Sequence, residues 1–422
     1  MAGDKTREQR VRSLSRAAIG EAKPFAIRNA TKIDARGIVP HFWMISEEGR
    51  IIASGTRDED FAATMERLHP ASSPEAQPEV IDAAGKTLTP GYIDIHSHGA
   101  WESSFDDGDE GIATARAGHA VHGTTRQVLS LITNPLDVMC ANMAAVARQC
   151  ALRPDCLGAH LEGPFLALSR KGAHDPNCLR DPEPSVVGQL LEASQGCIRQ
   201  ITIAPELPHG IEAIRRFSEA GVVPAIGHCD ADYAMAKRGI DAGARILTHV
   251  FNAMNGIGHR NPGPIPAVLE DRRVQVELIN DGFHVQNPVV GMAFDLFAHR
   301  LALITDSMAA TGCADGDYTL GKLAVNVEDG HARLVSNGAI AGSTLTLDVA
   351  VGRAVREIGI SAVEAVEAAT VGPARALGLD RPNDVTRYPL GLLAPGYAAD
   401  ALVQSAETWK VESVWCEGRR LV

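Results

Sequence analysis

Two histidines, His96 and His98, stand at the end of a short apolar run and are separated by one residue. On a β-strand, side chains two positions apart point to the same face, so both imidazoles can reach one ion. Imidazole is a common metal ligand and also a common loop residue, so the pair alone fits two polar residues at a strand end equally well. The case for a metal rests on what recurs further along the chain.

Four more short apolar runs also end in a residue that can bind a metal: Glu162, His228, His249 and Asp306. Segments with helical patterns separate these runs. Strand, ligand, loop and helix in repetition is typical of a β/α barrel, where functional side chains gather at the carboxyl ends of the strands. The sequence therefore predicts an α/β fold, a TIM-like (β/α)8 barrel with its chemistry at one rim.

These six candidate ligands offer only nitrogen and oxygen atoms. Three or four of them would hold one zinc ion and leave a position open for water. Six are enough for two ions if Glu162 bridges them. Zinc is the first expectation, but iron, manganese and cobalt accept the same ligand types, and the residues do not choose among them.

A divalent ion lowers the pKa of a bound water towards about 7 and polarises a substrate carbonyl. A carboxylate beside that water can take its proton and later give it to a leaving group. Asp306 is the candidate for this general base and acid, with a helix cap or a pure metal ligand as the alternatives. His160, two residues before Glu162, is expected to be a partner of the ligands or a hydrogen-bonded core histidine.

Composition limits the class of protein. The chain has 422 residues, 45% of them apolar, and a net charge of −12, which argues against a nucleic-acid-binding surface but allows a phosphorylated substrate. Its eight cysteines contain no C-x-x-C pair, as is ordinary for a reduced cytoplasmic protein. The sequence contains no uninterrupted run of about 18 apolar residues, the length that a membrane span needs.

The sequence at both ends of the chain has strand-like, turn-rich patterns and lacks the helical patterns of the middle. We therefore expect an N-terminal arm (1–24), a small β-sandwich built from residues 25–89 and 384–422, and a barrel over residues 90–383. Within the barrel we expect a helix over residues 112–122, one opened by Pro135 and running to about Leu152, and one capped by Asp230. Ser361 and Glu364 match a capping box.

Several motifs carry a family resemblance. They are PGYIDIHSHG (90–99), HLEGPF (160–165), KGAHDP (171–176), GHCDA (227–231), THVFNAMN (248–255), NDGFHV (280–285), ITDSMAATG (304–312) and AGSTL (341–345). In these stretches the chain resembles the amidohydrolase superfamily and, within it, the deacetylases of N-acetylglucosamine 6-phosphate, from about Phe25 to the C-terminus. The resemblance implies metal-dependent release of acetate in amino-sugar catabolism and recycling.

The resemblance also implies roles for individual residues. Glu162, His228 and His249 would hold the metal that such enzymes always keep, and His96 with His98 would allow a second. Asp306 would shuttle the proton, and His174 would contact the substrate and help to polarise the acetyl carbonyl. The implied sugar-phosphate contacts are Ala173, Asn252, Ala253, His284 and the segment around Ile340.

Arg260 matches an arginine that reaches the phosphate in the neighbouring subunit, which implies a homodimer. Arginine suits phosphate because its charge is permanent and its donors are forked. Without the resemblance, Arg260 reads as a solvated loop charge. The loop over residues 100–107 contains less glycine than the family implies, and Arg126 on a barrel strand has no assigned role.

Two other functions stay open on the residues alone. One is a different amidohydrolase, such as a cyclic amidase or a deacetylase of another N-acetylated sugar. The other is a barrel kept as an inactive scaffold, although an idle site has no physical need for six intact ligands.

Overall fold

The computed structural model describes residues 2–70 and 77–422, with side chains from residue 6 onward. Within these residues, eight parallel strands form a barrel and are hydrogen-bonded to one another in chain order. They are β1 (Tyr92–Asp94), β2 (Thr124–Ile132), β3 (Cys156–Glu162), β4 (Ile198–Ile203), β5 (Val223–Ile226), β6 (Ile246–Leu247), β7 (Gln275–Ile279) and β8 (Leu301–Ile304). The backbone N–H of Asp306 donates to the carbonyl of His96 (2.9 Å) and so joins the ends of β8 and β1. The predicted barrel is confirmed.

Helices cover the outside of the barrel, and every residue of β2 and β3 is buried as a consequence. The α-helices are Ala2–Ile19, Asp58–Leu68, Gly108–Ala120, Leu136–Leu152, Pro184–Ala193, Gly210–Glu219, Tyr233–Ala242, Pro264–Glu270, Asn287–Leu296, Leu347–Arg353, Ala362–Ala369 and Val371–Ala376. Short 3-10 helices span Phe105–Asp107, Leu168–Arg170 and Pro176–Cys178, and a π-helical turn spans Ala354–Ile358.

The helix starts agree with their sequence signals only in part. The helix expected over residues 112–122 begins at Gly108 and ends at Ala120. The Ser361 hydroxyl accepts from the backbone N–H of Glu364 (3.2 Å), which is one half of the predicted capping box, and the Glu364 carboxylate accepts from the Ser361 hydroxyl. The prediction that Asp230 caps the next helix was wrong. Asp232 accepts from the N–H of Met235 (2.7 Å) instead, and the Asp230 carboxylate binds the Arg170 guanidinium (2.5 Å).

Strands from both chain ends form one outer sheet. They are Phe25–Asp34, Gly37–Glu47, Arg50–Gly55, Glu79–Asp82, Thr87–Pro90, Ala401–Gln404, Val411–Cys416 and Arg419–Arg420. Two strands, Thr87–Pro90 and Ala401–Gln404, lie between those of Phe25 and Trp415 in the sheet order, yet the two rings stack at 5.3 Å. The small β domain is therefore a single sheet curled around its own core. The division at residues 89/90 and 383/384 stays a prediction.

The N-terminal arm is a helix docked on the barrel. Leu14 and Ala18 are buried in the main core, and Arg7 donates to the Glu102 carboxylate (2.8 Å). Beyond β8, three short antiparallel strands, Gly316–Leu320, Leu323–Glu328 and His331–Leu334, form a flap beside the rim, and Gly99–Ala100 pairs with Ser103–Ser104. No helix in the described residues has both the length and the hydrophobicity that crossing a membrane requires.

Candidate metal centre and active site

The candidate ligands follow the carboxyl ends of five barrel strands. Glu162 is the last residue of β3, whereas β1, β5, β6 and β8 each end two residues before their ligand. His228, His249 and Asp306 have φ values of 46°, 26° and 47°. Non-glycine residues adopt this left-handed region at a cost of about 1–3 kcal/mol each, and such strain concentrates at functional sites. Here it turns the three side chains from the strand ends towards the barrel axis.

Glu162 lies at the centre of the cluster. Its Oε1 is 3.1 Å from His228 Nε2, 3.2 Å from His249 Nε2 and 3.3 Å from His96 Nε2. Its Oε2 is 3.0 Å from His98 Nε2 and 3.3 Å from His174 Nε2. One carboxylate therefore faces two groups of imidazoles, the arrangement that a bridging ligand needs.

The first half of the site consists of Glu162, His228 and His249. The two Nε2 atoms are only 3.0 Å apart. Because the Arg170 carbonyl can only accept, His228 Nδ1–H donates to it (2.7 Å), which leaves His228 Nε2 as a bare lone pair in the neutral ring. Ligands at about 2.0–2.1 Å from a tetrahedral zinc lie about 3.3 Å from one another. Glu162 Oε1, His228 Nε2 and His249 Nε2 are 3.0 to 3.2 Å apart, close to the separation expected for three ligands of one tetrahedral zinc ion.

The second half of the site consists of His96, His98 and Asp306. Asp306 Oδ1 is 3.6 Å from His96 Nε2 and 3.5 Å from His98 Nε2. Among the described residues, His96 Nε2 is buried without a hydrogen-bond partner. Since a buried polar atom is normally paired, this nitrogen is suited to an ion. His96, His98, Glu162 and Asp306 form one group able to hold a metal, and Glu162 also belongs to a second group with His174 and His228.

Charge balance also favours a cation. Burial opposes a charge on His96, but the carboxylates of Glu162, Glu277 and Asp306 outweigh it and raise the imidazole pKa well above its usual value. For His98, burial is likewise outweighed by Asp306 and Glu162, and the pKa rises to about 9. Burial raises the pKa of Asp306, but His96 and His98 lower it by more, so the net shift is downward and the carboxyl is ionised. A divalent cation would satisfy the same excess of negative charge.

A cavity of about 330 Å³ opens beside the cluster. It brings together nearly all the residues named from the sequence: His98, Glu162, Ala173, His174, His228, His249, Asn252, Ala253, His284, Asp306 and Ile340. His96 lies just beneath, in contact with Glu162. Arg260 does not line this cavity and is exposed on its loop within the single chain. His160 is buried and bonded to Ser130 and Thr202 (both 2.9 Å), as expected for a core partner.

Sequence reasoning missed several residues of the site, among them Arg170, Thr133 and Glu277. Arg170 lines the cavity, Thr133 contacts His174 Nδ1 (3.0 Å), and Glu277 contacts His96 Nδ1 (3.0 Å). The charged Glu277 inside the strand-like segment VQVELI (274–279) was the one signal available, because a charge on a buried strand needs a partner. Arg170 ends the short 3-10 helix Leu168–Arg170 and Thr133 follows β2, and neither carries such a signal.

Comparison with known proteins places this site in a family. Residues 87–421 match the model of the Amidohydrolase family. The N-acetylgalactosamine-6-phosphate deacetylase of Escherichia coli O157:H7 is 34% identical over 81% of this chain and 89% of its own length. The N-acetylglucosamine-6-phosphate deacetylase of Lysinibacillus sphaericus is 33% identical over 89% of this chain and 92% of its own.

Solved structures agree. A mutant N-acetyl-D-glucosamine-6-phosphate deacetylase from Mycobacterium smegmatis, in complex with N-acetyl-D-glucosamine-6-phosphate, superposes with a TM-score of 0.83 at 36% identity. The superposition covers 96% of this chain and 100% of the chain from Mycobacterium smegmatis. The deacetylase from Pasteurella multocida gives a TM-score of 0.84 at 26% identity, over 94% and 99% of the two chains. The chain belongs to the amidohydrolase family.

Proposed function

We propose that the chain is a metal-dependent deacetylase that converts N-acetylglucosamine 6-phosphate to glucosamine 6-phosphate and acetate, in amino-sugar catabolism and recycling. The convergence of Glu162, His228 and His249 on one point, with Asp306 in the wall of the same cavity, carries the proposal. Relatives at 33–36% identity are named for this reaction, and one holds this sugar phosphate.

Glu162, His228 and His249 would hold one divalent ion, and His96, His98 and Asp306 would complete a second position that shares Glu162. Zinc is the ion we expect, with iron, manganese or cobalt as alternatives that satisfy the same ligands. A divalent ion bound there supplies an acidified water and a Lewis acid for the acetyl carbonyl.

Asp306 moves the proton. Its ionised carboxylate faces the cavity and can accept a proton from the attacking water. The same carboxyl then donates that proton to the departing amine nitrogen. The C–N bond breaks, and the amino sugar leaves with acetate as the second product.

His174 is the proposed donor to the acetyl oxygen. Burial lowers the pKa of its imidazole to about 4, so the ring is neutral. The Thr133 hydroxyl donates to the Glu162 carbonyl (3.0 Å) and lies 3.0 Å from His174 Nδ1, while His174 Nε2 lies 3.3 Å from Glu162 Oε2. A proton on Nε2, facing that acceptor-only carboxylate, would be the one that stabilises the developing oxyanion.

The rest of the cavity would hold the sugar phosphate through Ala173, Asn252, Ala253, His284 and the Ile340 segment. The Asp281 carboxylate accepts from the N–H of His284 (2.8 Å) and from its Nδ1 (2.7 Å), which fixes that ring at the cavity wall. We further propose a homodimer in which Arg260, exposed on its own chain, reaches the phosphate in the neighbouring site.

Asp306→Asn tests the chemistry. We expect loss of turnover by at least about 100-fold, since general acid–base catalysis contributes about 10²–10⁴-fold. The ion held by Glu162, His228 and His249 should stay bound, because these three residues are untouched, whereas occupancy of the second position should fall, because Asp306 belongs to it. Acetate release and elemental analysis measure the two quantities. Near-normal activity would remove Asp306 from the mechanism, and a metal-free, folded wild type would favour the scaffold alternative.

A panel of substrates tests the identity of the sugar. The panel contains N-acetylglucosamine, its 6-phosphate, N-acetylgalactosamine 6-phosphate and a cyclic amide. The galactosamine epimer is the second candidate because the relative from Escherichia coli O157:H7 is named for it. We expect the highest kcat/KM for N-acetylglucosamine 6-phosphate, and a preference for the unphosphorylated sugar or the cyclic amide would contradict the proposal.

A further inference from the structure

Glu277 is a carboxylate in the interior of the barrel. It lies in the middle of β7, and its exposed fraction is 0%. Burying a charge without partners is costly, so its contacts show what it does. Its Oε1 accepts from the Gln200 amide (2.6 Å), and its Oε2 lies 3.0 Å from His96 Nδ1 and accepts from the backbone N–H of His249 (3.2 Å).

The contact with His96 decides which nitrogen of that ring can bind an ion. A carboxylate oxygen only accepts, so His96 Nδ1 must carry the proton and donate it. In the neutral ring, Nε2 is then a bare lone pair. That nitrogen points between Glu162 Oε1 (3.3 Å) and Asp306 Oδ1 (3.6 Å) and has no hydrogen-bond partner among the described residues.

The contact with His249 reaches the first half of the site. Oε2 accepts from the backbone N–H of a residue whose φ is 26°, outside the usual range for a side chain of this size. Such a conformation persists only where its surroundings hold it. One oxygen of Glu277 therefore fixes a ring in the second half and a backbone in the first.

We propose that Glu277 is the positioning residue of the two-metal site: it sets the ion-binding tautomer and angle of His96 and ties the two halves together. Carboxylates that hold a ligating histidine typically contribute 10–100-fold to metal affinity. The inference rests on the metal centre of the proposed function and is independent of the substrate.

Zinc titration of the metal-stripped protein, in competition with a chromophoric chelator, tests the proposal. Glu277→Gln keeps the shape and one acceptor, and the Gln200 Oε1, which lacks a partner among the described residues, can turn to receive the new amide. Glu277→Leu removes the acceptor altogether. We expect the affinity for the second equivalent of zinc to fall about 10-fold in Glu277→Gln and about 100-fold in Glu277→Leu, with a smaller change for the first equivalent.

His96→Gln is the matched control, because it removes the ligand itself and sets the value for loss of the second position. Folded Glu277 variants that bind two equivalents as the wild type does would overturn the proposal. Equal losses at both equivalents that follow a fall in melting temperature would reduce Glu277 to a structural residue. A wild type that binds a single zinc ion, with an affinity that His96→Gln does not change, would lead to the same conclusion.

The failure of this inference is distinct from that of the proposed function, because zinc titration needs no substrate. Should the second ion be lost in the expected order while no acetate is released from any sugar, Glu277 keeps its role and the proposed substrate is wrong.

Discussion

Arg170 joins the metal site to the polar end of the cavity. Its backbone carbonyl accepts from His228 Nδ1, and its guanidinium binds Asp230 (2.5 Å) and Asn255 (2.7 Å). Among the described residues that line the cavity, it is the one arginine or lysine. Within a single chain, Arg170 is therefore our candidate for the cation beside the phosphate of the proposed substrate, whereas Arg260 requires a second copy.

Removing either arginine should affect the phosphorylated sugar selectively. For Arg170→Met and Arg260→Met we expect kcat/KM for the 6-phosphate to fall about 10- to 100-fold. This loss corresponds to the contribution of about 1.5–3 kcal/mol that a hydrogen bond to a charged group makes. The unphosphorylated sugar should be little affected. Steady-state kinetics on both sugars measures the difference.

Exposed Arg215 is the matched control, since Arg215→Met removes a charge away from the cavity. A loss confined to Arg170→Met would argue against a phosphate contact from the partner subunit. Equal losses on both sugars would argue against phosphate recognition by that arginine.

At the scale of elements, one buried arginine connects the barrel to the outer sheet. Arg126 on β2 donates to Asp400 (2.7 and 3.1 Å), to Glu417 (3.1 Å) and to the carbonyl of Pro154 (2.5 Å). Asp400 and Glu417 flank strands of the outer sheet, so the network spans both layers. Arg126, to which the sequence assigned no role, is therefore structural. It lies near the amino-terminal ends of the barrel strands, away from the cavity.

Breaking this network should destabilise the whole chain. Arg126→Met leaves the buried Asp400 carboxylate without its guanidinium and leaves Glu417 with only the longer contact to Arg419 (3.5 Å), so we expect the free energy of unfolding to fall by about 3–5 kcal/mol. Urea unfolding followed by circular dichroism measures the change. Arg148→Met is the matched control: its ion pair with Asp109 is largely exposed and should contribute at most about 1 kcal/mol. A similar, small effect in both variants would show that the Arg126 network does not hold the layers together.

At the scale of the whole molecule, the cluster of candidate metal ligands links distant parts of the chain. The candidate ligands follow five of the eight barrel strands, and the closing bond between β8 and β1 runs through two of them, His96 and Asp306. An ion held there binds the folded barrel and not the unfolded chain. It therefore adds to stability by mass action.

Metal removal should lower the melting temperature. With free zinc at about 100 times its dissociation constant, the gain in the free energy of unfolding is about 2.7 kcal/mol per site. Thermal scans of the protein treated with a chelator, before and after zinc is restored, measure it. The double variant His228→Ala, His249→Ala should respond much less to zinc, and a melting temperature that is equal with and without metal would contradict a centre within the fold.

The sequence by itself determined the barrel and its candidate ligands, because strand periodicity and residue type are local properties. Five apolar runs ending in His, Glu or Asp predicted which side chains meet at the rim. It did not show the left-handed turns at His228, His249 and Asp306 or the docking of the N-terminal helix, and it misplaced the helix cap at Asp230. Only tertiary structure decided that Glu277, Thr133 and Arg170 belong to the site. Their partners lie 41 to 181 residues away along the chain, so even the charge of Glu277 on a buried strand shows only that a partner is needed and not which residue it is.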